Sequence, residues 1–137
     1  MNAGQLEILI ESERGLVKPG EVLRGGFRVL TDAPMPVNRL ELSVVWSTSG
    51  KGDVDEEVIH HETLAQGETL TADRAFPFQV QLPDRPWSYN GRLIKIGWSV
   101  RVRVYPVQGK PWGGEEVFRV HPAGWEEAGA GGGEPEA

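Results

Sequence analysis

The sequence predicts an all-β protein folded as a two-sheet sandwich, and three observations predict it. Apolar side chains recur at every second position in about seven separate runs, the period of a strand with one dry and one wet face. Long stretches of helical periodicity are missing. The 137 residues include 18 glycines and 10 prolines, which punctuate strands with turns and sit badly inside helices. Strands that bury one face each need a second sheet to cover it, hence two layers. The length suits one domain with a real core, and the absence of cysteine means that no disulfide or thiolate zinc site supports it.

The first run is Leu6-Glu7-Ile8-Leu9-Ile10-Glu11, with Leu6, Ile8 and Ile10 on one face. Lys18-Pro19-Gly20-Glu21 is a turn signal. Val22 to Leu30 follows as a strand in which Leu23, Phe27 and Val29 alternate with Arg24 and Arg28. Gly25-Gly26 inside it predicts a bulge or a close backbone approach. After a proline-containing loop (31–36), Val37 to Thr48 sets Leu40, Leu42, Val44 and Trp46 on one side. Ser47 to Asp55 reads as a flexible polar connection. Val54 to Leu64 reads as an exposed, charged strand, with a single helical turn from Asp55 as the alternative. Gly67 is placed in a turn leading to a strand from Leu70 to Leu82, where Phe76, Phe78, Val80 and Leu82 alternate. Pro77 cannot donate to a ladder, so an edge or irregular pairing is expected there.

Pro83 to Gly91 is a proline-rich loop, with Gly91 able to take positive φ. Ile94, Ile96, Trp98, Val100, Val102 and Val104 then form six inward positions in a row, opposite Lys95, Gly97, Ser99, Arg101 and Arg103. Pro106 to Gly114 is the last connection, and Val117 to His121 the last strand. The expected organisation is one sandwich over residues 1–122 and a Gly/Glu-rich disordered tail over 123–137. The tail holds four glutamates and no basic residue, leaving 14 basic against 16 acidic residues in the sandwich.

Several segments together resemble the arrestin family. Lys18-Pro19-Gly20-Glu21-Val22-Leu23-Arg24-Gly25 is similar to its early turn and strand, and Leu40-Glu41-Leu42-Ser43-Val44-Val45-Trp46 to its next core strand. Phe76-Pro77-Phe78 with Leu82-Pro83, then Pro86-Trp87-Ser88-Tyr89-Asn90-Gly91, then Ile94-Lys95-Ile96-Gly97-Trp98-Ser99-Val100 resemble in order and spacing the later blocks of its N-terminal domain. The resemblance spans roughly residues 5 to 122, within a wider family that takes in retromer-subunit and bacterial sporulation-control proteins. It implies an immunoglobulin-like, arrestin N-domain-like sandwich of seven or eight strands. It also implies a non-catalytic adaptor or scaffold module that binds a protein or peptide. Arrestins carry two such sandwiches where this chain carries one, and the charged switch of signalling arrestins has no match here.

Catalytic signatures are absent: there is no nucleophile elbow, Walker loop or dinucleotide fingerprint. No cofactor is expected, and the formal charge of −6 disfavours duplex nucleic acid and anionic membranes. The start lacks a signal-peptide pattern and no long apolar span occurs, so a soluble cytoplasmic protein is expected. Asp53, Asp55, Glu56, Glu57, His60, His61 and Glu62 invite a metal-site reading. Neighbouring strand residues face opposite ways, however, and an acidic strand also protects a sheet edge. The candidate partner-binding residues are Lys95, Arg101 and Arg103, a basic stripe that fits an acidic peptide or the chain's own tail, with Trp87 and Tyr89 in the adjacent loop. A carbohydrate-binding module stacking sugars on Trp87 and Trp112 is the alternative function, and a copy of the chain itself is a further candidate partner.

Overall fold

A computed structural model describes residues 5–50, 52–72 and 74–122, so the 123–137 segment and Trp125 lie outside the described residues. Nine strands form: β1 (Gln5–Ile10), β2 (Leu16–Val17), β3 (Val22–Leu30), β4 (Met35–Gly50), β5 (Asp53–Leu70), β6 (Ala75–Gln81), β7 (Tyr89–Asn90), β8 (Lys95–Pro106) and β9 (Trp112–Val120). They make a three-stranded sheet in the order β1-β3-β6 and a six-stranded sheet in the order β2-β9-β8-β4-β5, with β7 beside β8. All pairs are antiparallel except β2 with β9. The two sheets pack inner face to inner face, the predicted sandwich.

Period-two alternation delivers the core. Leu23, Phe27, Val29, Phe76, Phe78 and Val80 of the small sheet are buried against Leu40, Leu42, Val44, Trp98, Val100, Val102, Val104, Phe118 and Val120 of the large one. Phe27 stacks on Phe76 with ring centroids 5.1 Å apart. Each fully buried side chain of this size contributes about 1.5–3 kcal/mol. Trp46 reaches only the rim of this core and is half-buried. Pro77 sits on β6, an edge strand, where a missing N–H is tolerated. At Lys18-Pro19-Gly20-Glu21 the Glu21 N–H donates to the Lys18 carbonyl at 3.1 Å with Gly20 at φ +78°, as a Pro-Gly turn demands.

Of the two readings of Gly25-Gly26 the close approach holds, while several other expectations need correction. Pairing through Gly25-Gly26 is regular, so the glycines mark a close approach and no bulge. A Cβ on Gly25 would lie 2.3 Å from the Leu9 carbonyl oxygen and 2.7 Å from the Phe78 ring. The Ser47–Asp55 connection is instead the closing end of a long β4–β5 hairpin, because strands wet on both faces show no apolar alternation. β5 runs through Gly67 to Leu70, which pairs with Met35, and the next strand begins only at Ala75. Ile94 precedes β8 and is exposed, so the inward row begins at half-buried Ile96. β9 starts at Trp112, its glycines paired in the ladder where the composition reads as a turn. Gly91 does not use its freedom to take positive φ; what it supplies is room, since a Cβ there would strike the Tyr89 ring. Two-residue β2 and β7 are too short to alternate, and they raise the strand count to nine.

Candidate functional site

The inner face of the large sheet is core, and its outer face carries every member of the predicted basic stripe. Cross-strand register arranges that face in rows from β5 to β9. At the hairpin end, Val54, Ser49 and Lys95 lie side by side, with Asn90 of β7 beyond. The next row holds Glu56, Ser47 and Gly97, and the next Val58, Val45, Ser99 and Val117. Then come His61, Ser43, Arg101 and Glu115, followed by Thr63, Glu41, Arg103 and Gly113. The last holds Gln66, Arg39 and Tyr105. β5 keeps its place in these rows through two register shifts that leave Leu64 and Ile59 unpaired, bulges of the kind that blunt an edge strand.

Arg101 is the hub of this face. Its guanidinium donates two hydrogen bonds to the Glu56 carboxylate, at 3.0 and 2.6 Å, and its Nε lies 3.5 Å from Glu115. Arg101 stands opposite Ser43 and Glu56 opposite Ser47, so the ion pair passes over β4 at Val45. Val45 is accordingly 2% exposed, although it points away from the core. The hydrogen bonds from Arg101 hold the Glu56 carboxyl below the usual carboxylate range, and Glu56 raises Arg101 in return. A second cluster lies at the other end. Arg39 sits 3.8 Å over the Tyr105 ring and 2.6 Å from Glu41, which is itself 3.4 Å from His61. Burial pushes the Glu41 carboxyl up, but the hydrogen bonds from Arg39 and His61 outweigh it and the net shift is downward.

The predicted residues therefore divide. Lys95, Arg101 and Arg103 share the face, with Lys95 and Arg103 exposed and without an ion-pair partner among the described residues. Arg101 is held by two carboxylates of its own chain. Tyr89 pairs with Ile96 and borders a groove of about 540 Å³ that Lys95, Gly97, Ser47 and Val117 also line. Trp87 is half-exposed, its indole N–H donating to the Asp84 carbonyl at 3.1 Å. Trp87 adjoins Ser88, which is bonded to Val120 at one end of β9, while Trp112 begins the other end about 27 Å away. The two indoles thus make no common platform, and Trp112 packs against the core beside a second pocket of about 740 Å³. His60 meets Glu62 at 2.7 Å on the inner side, and His61 meets Glu41 on the outer; the imidazoles do not converge.

Sequence reading alone misses Glu56, Glu115, Val58 and Val117 as members of this face. Their only signal is alternation on strands whose pairing partners are known, and pairing is a tertiary fact. Val117 is 70% exposed and Val58 57%, apolar groups on a face that no other described element covers.

No protein-family model matches the chain. The human arrestin domain-containing protein 1 is 31% identical over 109 residues, covering 72% of this chain and 25% of that protein. The structure of Spo0M, a sporulation control protein from Bacillus subtilis, matches with a TM-score of 0.69 and 17% identity, over 91% of this chain and 52% of that one. The chain thus spans about a quarter of the curated relative's length and about half of the solved neighbour's. No helix among the described residues is long and apolar enough to cross a membrane.

Proposed function

From the premise that this chain is arrestin-like in sequence and fold, we propose that it is a non-catalytic module that engages a protein partner through the outer face of its six-stranded sheet. One observation carries the reading. No other element among the described residues covers this face, which presents exposed Val54, Val58 and Val117 together with Lys95 and Arg103, around a floor of small residues. Apolar groups rimmed by charge are the usual composition of a protein-binding surface. The groove beside Tyr89 lies at the hairpin end of the face, lined also by Lys95, Gly97 and Val117. Arrestin-type domains often serve as adaptors, which agrees with this reading.

The test is photocrosslinking from two positions. A benzophenone side chain at Ser47, on β4 near the hairpin end of the face, is expected to trap a protein partner. The same group at Gln79, exposed on β6 of the small sheet, is expected to trap none. Arg101→Glu with Arg103→Glu should weaken the Ser47 product. Equal products from both positions, or none from Ser47, would remove this face from consideration.

A further inference from the structure

We infer that the partner this face fits is a second copy of the same chain, packed sheet on sheet about a two-fold axis parallel to the strands between β4 and β8. The inference rests on the reading of the outer face as the binding surface, and it names the occupant. Two outward faces can be related by a two-fold only if its axis lies in the interface plane. With that axis along the strands, rows are preserved while β5 exchanges with the β9 side and β4 with β8.

Each row then meets its own complement. Val58 of one copy lies over Val117 of the other, so both exposed valines leave water on each side of the axis. Glu41 faces Arg103, opposite in sign and on β4 and β8 of the same row. Ser47 lies on Gly97, small against small, so the sheets approach closely beside the axis near the hairpin end; a Cβ on Gly97 would meet nothing within 4 Å among the described residues. Continuing the β8–β9 register by one residue puts Arg119 beside Gly97, and thus opposite the copy's Glu56. No row sets like charges against each other, which is the property that distinguishes a self-complementary surface from a generic acidic or basic one.

The size suffices. Four strands about 4.8 Å apart, over the span from Lys95 to Tyr105 at about 3.3 Å per residue, make a patch of about 19 by 33 Å. That is roughly 600 Å² of projected area on each copy, and roughly 1,200 Å² for the pair, the lower bound of stable specific interfaces. Face-to-face sheets pack about 10 Å apart with strands within about 30° of aligned, and long Arg and Glu side chains span such a gap.

The chain contains no cysteine, so thiols placed in it report on one contact at a time. Full-length Val58→Cys and Val117→Cys variants are treated with a short bismaleimide, separately and as an equimolar mixture, because facing residues on sheets packed about 10 Å apart lie beyond disulfide reach. The expected result is a thioether-linked dimer from the mixture and little from either variant alone, since like positions lie on opposite flanks of the axis. Sedimentation of the unmodified protein at about 100 µM should give twice the chain mass, and Val117→Glu should return it to one. Mixing Arg103→Glu with Glu41→Arg provides a second arm. Each variant alone sets like charges face to face and should be monomeric, whereas in the mixture both contacts regain opposite signs and the dimer should return. A monomer by sedimentation overturns the inference, and so does a dimer that V117E leaves intact or that gives no crosslinked product in the mixture. A monomer that still crosslinks another protein from Ser47 would overturn it while leaving the adaptor reading standing.

Discussion

The two faces of β8 belong to one strand and differ in nearly every respect. Trp98, Val100, Val102 and Val104 point inward and are buried, with the Trp98 indole N–H donating to the Pro86 carbonyl at 3.0 Å. Lys95, Gly97, Arg101 and Arg103 point outward into an open surface held in order by ion pairs. The inner face carries stability, because apolar area leaves water there without any choice of partner. The outer face contributes little to folding and keeps its groups available to be recognised. That division makes the faces separable by mutation.

The largest expected effect is on the inner face. Trp98→Ala removes the largest fully buried side chain of the core and its hydrogen bond, and should cost about 3–5 kcal/mol in a denaturant titration. A loss below about 1 kcal/mol would mean that the inner face is not the seat of stability. Gly25→Val comes next on the same side. Its side chain enters space occupied by the Leu9 carbonyl and the Phe78 ring, for an expected loss of about 1–3 kcal/mol; an unchanged unfolding midpoint would deny the close approach.

Arg101→Met should cost roughly 1 kcal/mol or less, since the side chains of the pair are one-third or more exposed and solvent screens them. This variant also carries a pH signature. Glu56 is held below its ordinary range in the folded chain, so its contribution is present at pH values above the unfolded pKa and is lost as pH falls through the folded one. The gap between parent and variant should therefore be constant near neutrality and close in acid. A gap that widens in acid would contradict the pairing. The smallest effect belongs to Val117→Ser, expected to change stability by no more than about 0.5 kcal/mol, because that side chain is already in water. A large loss there would show that the outer face helps to hold the fold and would erase the contrast.

The core was legible because burial on one side of a strand writes a period of two into the sequence, and Leu40 to Val44 or Trp98 to Val104 obey it without exception. The Lys18–Glu21 turn was equally legible, since proline and glycine act through local backbone geometry alone. The long hairpin was not. From Ser47 to Asp55 the sole apolar residue is Val54, itself exposed, so no alternation records that these positions are strand. The glycines at 113 and 114 misled for a related reason: glycine marks both turns and close approaches, and only neighbours in space tell them apart. On the site, alternation placed Lys95, Arg101 and Arg103 together on one face. It was silent on Arg101 being clasped by Glu56, which is 45 residues away and two strands over.

By itself, then, the order of residues determined the class of fold, the interior faces and the side on which the basic residues stand, because each follows from backbone period and local turn chemistry. Which strands lie side by side was decided only by the folded chain, through the joint packing of two sheets. That decision brought Val58, Val45, Ser99 and Val117 into one row and balanced acid against base along the outer face. Neighbours across a ladder are chosen by the whole core at once, and no short stretch of sequence contains that choice.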